Sequence, residues 1–382
     1  QNSPATNAGV DGSICETENH PLQDATAQNY ASILWTTSGD GSFSNTTTQN
    51  PDYYPGNNDV AFGSVELTIT VNGINPCNFS DSDSQTLYIQ ESPTANAGNN
   101  STICETENLQ IENASAQHYS SILWETSGDG IFSNPEIQNP VYTPGTLDIF
   151  FGFATLTMNA QGIDPCSFNV SDQQTLTIQA LPAVYDGSEG TICETGIFNI
   201  QNASAQNYAS LMWESSGDGT FNNPDLKNPS YYPGTNDIAI GIVELTITAN
   251  AKTPCSGAAS DSRFLYIQHN PSVSVGDDQV ICDQVFLFGT ANDFSSLQWT
   301  SYGDGTFSNP SSLLTVYYPG TNDFQNLNAS IQLFANPISP CSGFYVDELT
   351  LIIENVKIIL ATSSKNIIVK FLRFRTHGRR SG

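Results

Sequence analysis

The clearest pattern of apolar and polar residues in this chain is a strand that alternates strictly between the two. Val65, Leu67, Ile69 and Val71 are separated by single polar residues. A period of two places all the apolar side chains on one face, which is typical of a half-buried antiparallel strand. The alternation returns at 243–249 and at 329–335. The pattern therefore predicts β-structure that recurs along the chain.

A second recurring pattern is a tryptophan followed by Gly-Asp-Gly, with the aspartate five residues after the tryptophan. A motif that returns at nearly constant spacing predicts tandem repeats of about 90 residues, each large enough to enclose a small core. The predicted domains are 1–91 (repeat 1), 92–180 (repeat 2), 181–269 (repeat 3) and 270–355 (repeat 4), followed by a tail of uncertain role at 356–382. The predicted centres of the four cores are the only tryptophans of the chain: Trp35, Trp124, Trp213 and Trp299.

Within each repeat, short strand-forming runs are separated by turn-forming residues. About seven strands per repeat, with turn signals every 8–12 residues and one central tryptophan, are typical of an immunoglobulin-like sandwich. The predicted fold class is therefore all-β, with four tandem sandwich domains. Short proline-containing joints between the domains favour an extended rod. A Pro-Gly pair in each repeat, such as Pro55-Gly56, is typical of a type II turn.

The Trp-x-x-x-Gly-Asp-Gly motif, followed by Pro-Gly and the alternating strand, resembles the polycystic-kidney-disease (PKD) type of immunoglobulin-like domain. That family's usual pattern is Trp-x-Phe-Gly-Asp-Gly, whereas here one extra residue separates Trp35 from Gly39. The added cysteine pair resembles the repeats of very large surface proteins of gliding Bacteroidetes-type bacteria. The resemblance covers roughly residues 3–355. It implies a spacer, an adhesin stalk or an accessory module of a secreted enzyme.

Charge is distributed very unevenly along the chain. Residues 1–355 contain all 38 acidic residues and only three basic ones, while 356–382 contain seven basic residues and no acidic one. The acidic body would repel nucleic acid and anionic membranes and attract cations. For the basic tail, the alternatives are an extension of the last sheet, a membrane or acidic partner, head-to-tail stacking on the acidic body, and a remnant without function.

Two cysteines occur in each repeat, and the first one recurs at intervals of 89 residues. One disulfide inside each repeat, for example Cys15–Cys77, would close a loop of about 60 residues and stabilise the fold by roughly 4 kcal/mol. Such bonds imply an oxidising compartment. The alternative is eight buried, reduced thiols. The predicted disulfide cysteines are Cys15, Cys104, Cys193 and Cys282 as first cysteines, with Cys77, Cys166, Cys255 and Cys341 as second cysteines.

The aspartate of each Gly-Asp-Gly motif has two interpretations. As a turn residue, its carboxylate accepts backbone N–H groups while the glycines supply positive φ angles. As a ligand of calcium, the one cofactor that the sequence leaves open, it would act with the aspartates four residues after each Pro-Gly proline or six after each second cysteine. The turn interpretation is favoured. The residues concerned are Asp40, Asp129, Asp218 and Asp304.

No pattern in the sequence indicates catalysis. The four histidines share no repeat position, and neither a nucleophile elbow nor a phosphate-binding loop is present. Tyrosine pairs such as Tyr53-Tyr54 indicate one buried and one exposed ring rather than a carbohydrate platform. The polar start at Gln1 suits a mature or excised fragment, and no apolar run is long enough to span a membrane.

We therefore expect an extracellular or cell-surface structural and adhesive protein, acting as a stalk or as the subunit of a filament, and no enzyme. The alternatives are a carbohydrate- or protein-binding module and an accessory region of a larger secreted enzyme. The expected partners are other copies of the chain or neighbouring repeats of a larger surface protein. Glycans and host or cell-surface molecules are further candidates.

Overall fold

A computed structural model of the chain describes residues 2–354, 358–363 and 366–371. The chain divides into two compact units, which are Gln1–Leu181 with Lys252–Ser256, and Pro182–Ala251 with Gly257–Gly382. The fold is all-β, and four β-sandwich units follow one another along the chain. The predicted fold class is therefore confirmed. In the described part of the chain, no helix is long and apolar enough to cross a membrane.

Repeats 1 and 2 each contain nine strands and one short helix in the same order. In repeat 1 these are β1 (Ala5–Asn7), β2 (Gly12–Cys15), β3 (His20–Pro21), β4 (Thr26–Gln28), β5 (Tyr30–Thr37), β6 (Ser42–Phe43), β7 (Asp52–Tyr54), α1 (Asn57–Phe62), β8 (Ser64–Gly73) and β9 (Ser80–Gln90). In repeat 2 they are β10 (Thr94–Asn96), β11 (Ser101–Cys104), β12 (Leu109–Gln110), β13 (Ser115–Gln117), β14 (Tyr119–Thr126), β15 (Ile131–Phe132), β16 (Val141–Thr143), α2 (Thr146–Phe151), β17 (Phe153–Gly162) and β18 (Asn169–Gln179).

Repeats 3 and 4 follow the same order. Repeat 3 contains β19 (Ala183–Tyr185), β20 (Gly190–Cys193), β21 (Phe198–Asn199), β22 (Ser204–Gln206), β23 (Tyr208–Ser215), β24 (Thr220–Phe221), β25 (Ser230–Tyr232), α3 (Thr235–Ile240), β26 (Ile242–Ala251) and β27 (Ala258–Gln268). Repeat 4 contains β28 (Ser272–Ser274), β29 (Gln279–Ile281), β30 (Val285–Phe288), β31 (Thr290–Asn292), β32 (Phe294–Ser301), β33 (Thr306–Phe307), β34 (Leu314–Tyr318), α4 (Thr321–Asn326), β35 (Asn328–Pro337) and β36 (Tyr345–Ile353).

Each sandwich is formed by a four-stranded and a three-stranded sheet, and a two-stranded sheet lies beside them. In repeat 1 the four-stranded sheet has the order β2-β9-β8-β5, and the three-stranded sheet has the order β3-β7-β6. Strand β2 runs parallel to β9, with Cys15 opposite Gln90, whereas the other pairs in these two sheets are antiparallel. The apolar residues of the alternating strand β8 face inward, as the full burial of Leu67 and Ile69 shows.

An aromatic row joins the two sheets inside each core. In repeat 1, the ring of Phe43 lies 5.8 Å from that of Trp35 on β5 and 4.9 Å from that of Tyr53 on β7. Trp35 is 1% exposed, and its indole N–H donates to the carbonyl of Gln49. The structure places the other three tryptophans at the same point of their repeats, each at most 2% exposed.

The segment after each Pro-Gly pair differs from the sequence prediction. A type II turn needs a positive φ at its glycine, but Gly56 has φ −89° and caps the N-terminus of α1. The other three glycines of the set do the same for α2, α3 and α4. The type II turn prediction is therefore wrong, and the Pro-Gly pair instead starts a six-residue helix.

The tail forms a hairpin in its described part. Strand β37 (Ile358–Ser363) pairs with β38 (Asn366–Phe371) in antiparallel register. The two strands form a sheet of their own rather than an extension of the four-stranded sheet of repeat 4. The arginines at the end of the tail lie outside the described residues.

Candidate functional site: the disulfide junctions between repeats

The two cysteines of a repeat lie at opposite ends of its longest strand. Cys15 ends β2 and stands opposite Gln90, the last residue of β9. Cys77 lies in the turn that precedes the first residue of β9, Ser80. At about 3.4 Å per residue, the eleven residues of β9 separate these two ends by roughly 34 Å. A disulfide tolerates only about 7 Å between Cα atoms, so the two cysteines cannot bond to each other.

Each disulfide instead joins the first cysteine of one repeat to the second cysteine of the next. The last strand of a repeat ends at the start of the following repeat. The turn that contains the second cysteine of the following repeat lies at the same place. The prediction of bonds inside a repeat, such as Cys15–Cys77, is therefore wrong. The observed bonds are Cys15–Cys166, Cys104–Cys255 and Cys193–Cys341, with Cα atoms 4.7–4.8 Å apart.

The junction between repeats 1 and 2 is buried and built around one carbonyl. Cys15 is 2% exposed and Cys166 is fully buried. The carbonyl oxygen of Gln90 accepts the backbone N–H of Glu16 at 3.0 Å and lies 3.1 Å from Sγ of Cys166. The Glu16 carboxylate in turn accepts the N–H of Ser92. Hydrogen bonds of Glu16 to Gln90 in repeat 1 and to Ser92 in repeat 2 therefore lie beside the disulfide.

The Cys104–Cys255 bond repeats this arrangement, and both of its cysteines lie in the first compact unit. The carbonyl oxygen of Gln179 accepts the N–H of Glu105 at 3.0 Å and lies 3.0 Å from Sγ of Cys255. The N–H of Cys104 donates to the Glu107 carboxylate at 3.2 Å. These two junctions therefore have the same arrangement of contacts around the glutamine carbonyl.

The Cys193–Cys341 junction lies in the second unit and adds polar side chains. The Glu194 carboxylate accepts Nδ2–H of Asn270 at 2.7 Å and lies 3.1 Å from Nδ1 of His269. Burial alone would raise the pKa of Glu194, but the hydrogen bonds with His269 and Asn270 outweigh it and hold the pKa below its usual value. This carboxylate therefore stays charged at neutral pH.

A disulfide that spans two repeats closes a long loop. The sequence separations are 151, 151 and 148 residues. The chain-entropy treatment assigns about 5 kcal/mol to a loop of this length, against the roughly 4 kcal/mol expected for a bond inside a repeat. The more important consequence is that a second covalent link, besides the backbone, joins neighbouring repeats.

A second recurring site connects the Gly-Asp-Gly turn to the short helix. The Asp40 carboxylate accepts the N–H groups of Asn58 and Asp59 in the first turn of α1. These donors have no partner within the helix. Asp59 is 1% exposed, and its carboxylate accepts the N–H of Gly41 at 3.0 Å and the hydroxyl of Tyr53 at 2.6 Å. The two carboxylates thus fasten the turn to the helix.

The glycines of this turn are required because there is no room for a Cβ atom at either position, and not because of a positive φ. A Cβ on Gly39 would lie 1.6 Å from Oδ1 of Asp59, and one on Gly41 would lie 2.3 Å from the Tyr53 hydroxyl oxygen. Neither residue has a positive φ. The predicted role of Asp40 in a turn agrees with these hydrogen bonds, but the predicted reason for its flanking glycines is wrong.

The third set of candidate aspartates, which lie six residues after each second cysteine, is not part of this turn site. Asp83 accepts the backbone N–H of Ala8 at 2.8 Å and so fastens the first strand of the repeat to β9. Asp172, Asp261 and Asp347 take the same part in the other repeats. Of the three sets, only the turn and helix aspartates come together. Among the described residues, no group of three or more His, Cys, Asp or Glu side chains could hold a metal ion.

The tyrosine pairs divide between core and surface. Tyr53 is fully buried, while its neighbour Tyr54 is 47% exposed. In repeats 3 and 4, Tyr231 and Tyr317 are likewise buried beside exposed tyrosines. The pairs therefore place one ring inside and one outside, which is the alternation that the sequence indicated.

Neither a protein-family model nor a curated protein sequence matches the chain. Among solved structures, it is similar to tandem cadherin domains, a β-sandwich repeat class. Protocadherin Gamma B7 extracellular cadherin domains 1–4 are 11% identical, with a TM-score of 0.44, and the match covers 89% of this chain and 99% of that one. Drosophila N-cadherin EC1–4 is 13% identical, with a TM-score of 0.35 and coverages of 91% and 99%. The human desmocollin-1 ectodomain is 13% identical, with a TM-score of 0.33 and coverages of 96% and 85%.

Proposed function

We propose that this chain is an extracellular structural and adhesive repeat protein, acting as a cell-surface stalk or a fibre subunit. In this proposal the repeats are PKD-like domains with boundaries near residues 91, 180 and 269, and none of them is an enzyme. The observation that carries the proposal is that all three disulfides cross a repeat boundary. Disulfides persist in oxidising, extracellular settings, and bonds at this position join the repeats mechanically.

The disulfides create a short covalent path through the chain. From Cys15 the path crosses to Cys166, follows the backbone to Cys193 and crosses to Cys341. This path contains the 27 residue steps from 166 to 193, whereas the backbone from 15 to 341 contains 326. At ~3.4 Å per extended residue, the two routes reach roughly 90 Å and roughly 1,100 Å. A pulling force on the ends therefore cannot lengthen the protein by unfolding its repeats.

Single-molecule force spectroscopy of the whole chain tests this proposal. With the disulfides intact, we expect no unfolding step longer than the 27-residue path permits. After reduction, we expect four steps of about 300 Å, because each repeat then releases its ~90 residues. Long steps in the oxidised protein would contradict a mechanical role of the junctions.

Two variants separate the bonds that carry force from the one that does not. The double variant Cys104→Ser, Cys255→Ser leaves the 27-step path intact, so the oxidised protein should remain inextensible. In the double variant Cys193→Ser, Cys341→Ser, the shortest path leads through Cys104–Cys255 and contains 148 residue steps. That protein should extend by roughly 400 Å more. Equal extension of the two variants would refute the assignment of the path.

A recurring exposed apolar residue supports a second candidate function, which is binding of carbohydrate or protein. The last helical residue is Phe62 in α1, Phe151 in α2 and Ile240 in α3, and these side chains are 82%, 64% and 71% exposed. Isolated exposed apolar residues are common, but recurrence at one position suits a repeated contact. Glycan-array binding that is lost in a Phe62→Ser, Phe151→Ser variant would favour this function, and unchanged binding would refute it.

Calcium binding by the turn aspartates stays a proposal of the same kind. In repeat 1 the Asp40 oxygens already accept backbone N–H groups, so an ion would have to compete with them or use the remaining lone pairs. Calorimetric titration with Ca²⁺ would decide the point. Saturation near four ions per chain would support calcium sites in the repeats, and the absence of heat at millimolar Ca²⁺ would refute them.

A further inference from the structure

The short helix of repeat 2 exposes more apolar surface than its three counterparts. Leu147, Phe150 and Phe151 of α2 are 53%, 79% and 64% exposed. Positions i, i+3 and i+4 of a helix lie on one face, so these three side chains form one outward stripe. Phe153, the first residue of β17, is 53% exposed and lies two residues beyond the helix. These four side chains are called the repeat 2 patch.

The patch belongs to repeat 2 and not to the repeat in general. The position of Leu147 is asparagine in the other three repeats, at Asn58, Asn236 and Asn322. The position of Phe150 is alanine in repeats 1 and 3 and glutamine in repeat 4. Only repeat 2 of the four therefore has large apolar residues at all four positions.

The helix that carries the patch is held firmly from its inner side. Oδ1 of Asp129 accepts the N–H groups of Leu147 and Asp148 at 3.0 and 3.3 Å. Asp148 is 2% exposed, and its carboxylate accepts the Tyr142 hydroxyl at 2.6 Å. Ile149 packs against the core of the repeat. A fixed support of this kind lowers the ordering cost when the outer face binds a partner.

The patch and the strand positions beside it carry no exposed charge. The segment 146–153 contains one charged residue, Asp148, and that residue is buried. Phe153 stands opposite Thr177 on β18, and Thr177 stands opposite Thr102 on β11. Both threonines are exposed. Copies of a chain with net charge −28 repel one another, so an uncharged surface is where that repulsion opposes contact least.

The size of the patch suits a weak interface between two copies. At ~200 Å² for a large apolar side chain, the four residues expose roughly 500 Å². Apolar patches of about this size on a protein surface are often contact sites. Two such patches face to face would remove roughly 1,000 Å² from water, which is the lower end of specific protein interfaces.

We infer that the repeat 2 patch binds the same patch of a second copy of this chain. In a two-fold interface each copy offers the same surface, so apolar side chains meet apolar ones and the uncharged threonines meet each other. The rings of Phe150 and Phe151 lie 5.2 Å apart with their planes at 79°. Rings at right angles offer a face and an edge, which suits edge-to-face packing with the rings of the second copy. The inference rests on the proposed adhesive function, because it names a second copy as the adhesive partner.

Sedimentation equilibrium of the full chain tests the inference. At about 0.15 M salt, where the screening length is about 8 Å, the wild type should form a reversible dimer. Interfaces of ~1,600 Å² have dissociation constants from about 1 µM downwards, so this smaller interface should dissociate at about 1 µM or above. Raising the salt to about 0.5 M should strengthen an apolar dimer by screening its net charge, whereas it would weaken a contact between opposite charges.

Three variants locate the contact. The double variant Phe150→Ser, Phe151→Ser should raise the dissociation constant at least about tenfold, because buried aromatic side chains dominate interface energies. The double variant Phe150→Leu, Phe151→Leu keeps the apolar area and should retain most of the affinity. The matched control is Phe62→Ser, which changes the counterpart of Phe151 in repeat 1 and should leave the dissociation constant unchanged. Thermal unfolding followed by circular dichroism shows that each variant is folded.

Each contrary outcome has one meaning. A wild type that stays monomeric up to about 1 mM, or a dimer that Phe62→Ser weakens as much as the double serine variant does, would overturn the inference. A monomeric wild type whose glycan-array binding is lost in the double serine variant would also overturn it and would assign the patch to carbohydrate. The proposed function fails separately, if mass spectrometry of the same sample finds no internal disulfides.

Discussion

The buried tyrosine of the turn site allows a precise test of what fastens the short helix to the sandwich. In repeat 4, the Tyr317 hydroxyl donates to Oδ2 of Asp323 at 2.6 Å and lies 2.8 Å from Oγ of Ser301. Tyr317 is fully buried. Tyr317→Phe removes only the hydroxyl. After the change, the Asp323 oxygen keeps the N–H of Gly320 and Ser301 keeps the N–H of Gly303.

The size of the effect follows from the charge on the acceptor. Hydrogen bonds to charged groups contribute about 1.5–3 kcal/mol, so Tyr317→Phe should lower the free energy of unfolding of repeat 4 by that amount. The matched control is Tyr318→Phe, since Tyr318 is the next residue of β34 and is 44% exposed. Its effect should be within the ±0.5 kcal/mol typical of surface changes.

The pH dependence of stability provides a second test of Tyr317, because its pKa is raised in the fold. Burial, together with the hydrogen bond to Asp323, raises the pKa of Tyr317 to about 12. Because the value in the unfolded chain is about 10, the contribution is complete below about pH 10 and is lost as the pH rises towards 12. A difference of about two pH units corresponds to roughly 2.7 kcal/mol, of which burial of the phenolate is the largest cause. Tyr317→Phe should remove this part of the alkaline loss.

Native-state hydrogen exchange with mass spectrometry can report on repeat 4 alone. Peptides that cover Leu314–Tyr318 give the free energy of opening in the wild type and in both variants. Equal effects of the two variants would refute the reasoning. So would an alkaline loss of protection that persists unchanged in Tyr317→Phe.

Three further predictions concern the core, a helix end and a junction. Trp124→Ala should cost about 3–5 kcal/mol in repeat 2 and little in the other repeats, and calorimetry in which all repeats were lost together would contradict independent folding. Leu327 ends α4 with φ +56°, where the other three helices have glycine, so Leu327→Gly should stabilise repeat 4 by about 0.5–1 kcal/mol in urea unfolding. The control Leu327→Ala, which keeps the strained φ, should give no such gain, and equal gains would refute the reasoning. Because the pKa of Glu194 is lowered in the fold, its contribution is present above the usual pKa and is lost as the pH falls through the lowered value. The acid side of a plot of Tm against pH should therefore be flatter in Glu194→Gln than in the wild type, and identical curves would contradict the role of this junction carboxylate.

The sequence was sufficient for the fold class because the signals are local and repeated. Alternation along β8 and the single tryptophan of each repeat report burial directly, and both agree with the core. The short helices were missed because six residues such as Asn57–Phe62 are too few to show a helical period, and because Pro-Gly is also typical of turns.

The disulfide pairing was mispredicted for a geometric reason. Sequence alone shows that each repeat has two cysteines, and proximity along the chain favours pairing within the repeat. Whether Cys15 and Cys77 meet depends on the direction in which β2 runs beside β9. A parallel pairing places Cys15 at the far end of β9 from Cys77. Local sequence propensity does not show in which direction two strands distant in sequence pair. The length of the run Ser80–Gln90 is the one sequence signal that could have separated the two cysteines.

The roles of the aspartates also depended on tertiary structure. The turn interpretation of Asp40 was accessible from the flanking glycines. Its actual acceptor role depends on the helix N-terminus that the Pro-Gly pair starts, which the sequence did not indicate. The part of Asp83 in fastening the first strand through Ala8 had no local signal at all.

The most direct test of the central claim is disulfide mapping of the unreduced protein. Proteolysis without reductant, followed by mass spectrometry, identifies which cysteine peptides are joined. The account predicts Cys15 joined to Cys166, Cys104 to Cys255 and Cys193 to Cys341. Peptides that join Cys15 to Cys77, or Cys104 to Cys166, would show that each repeat closes on itself and would contradict the covalent junctions between repeats.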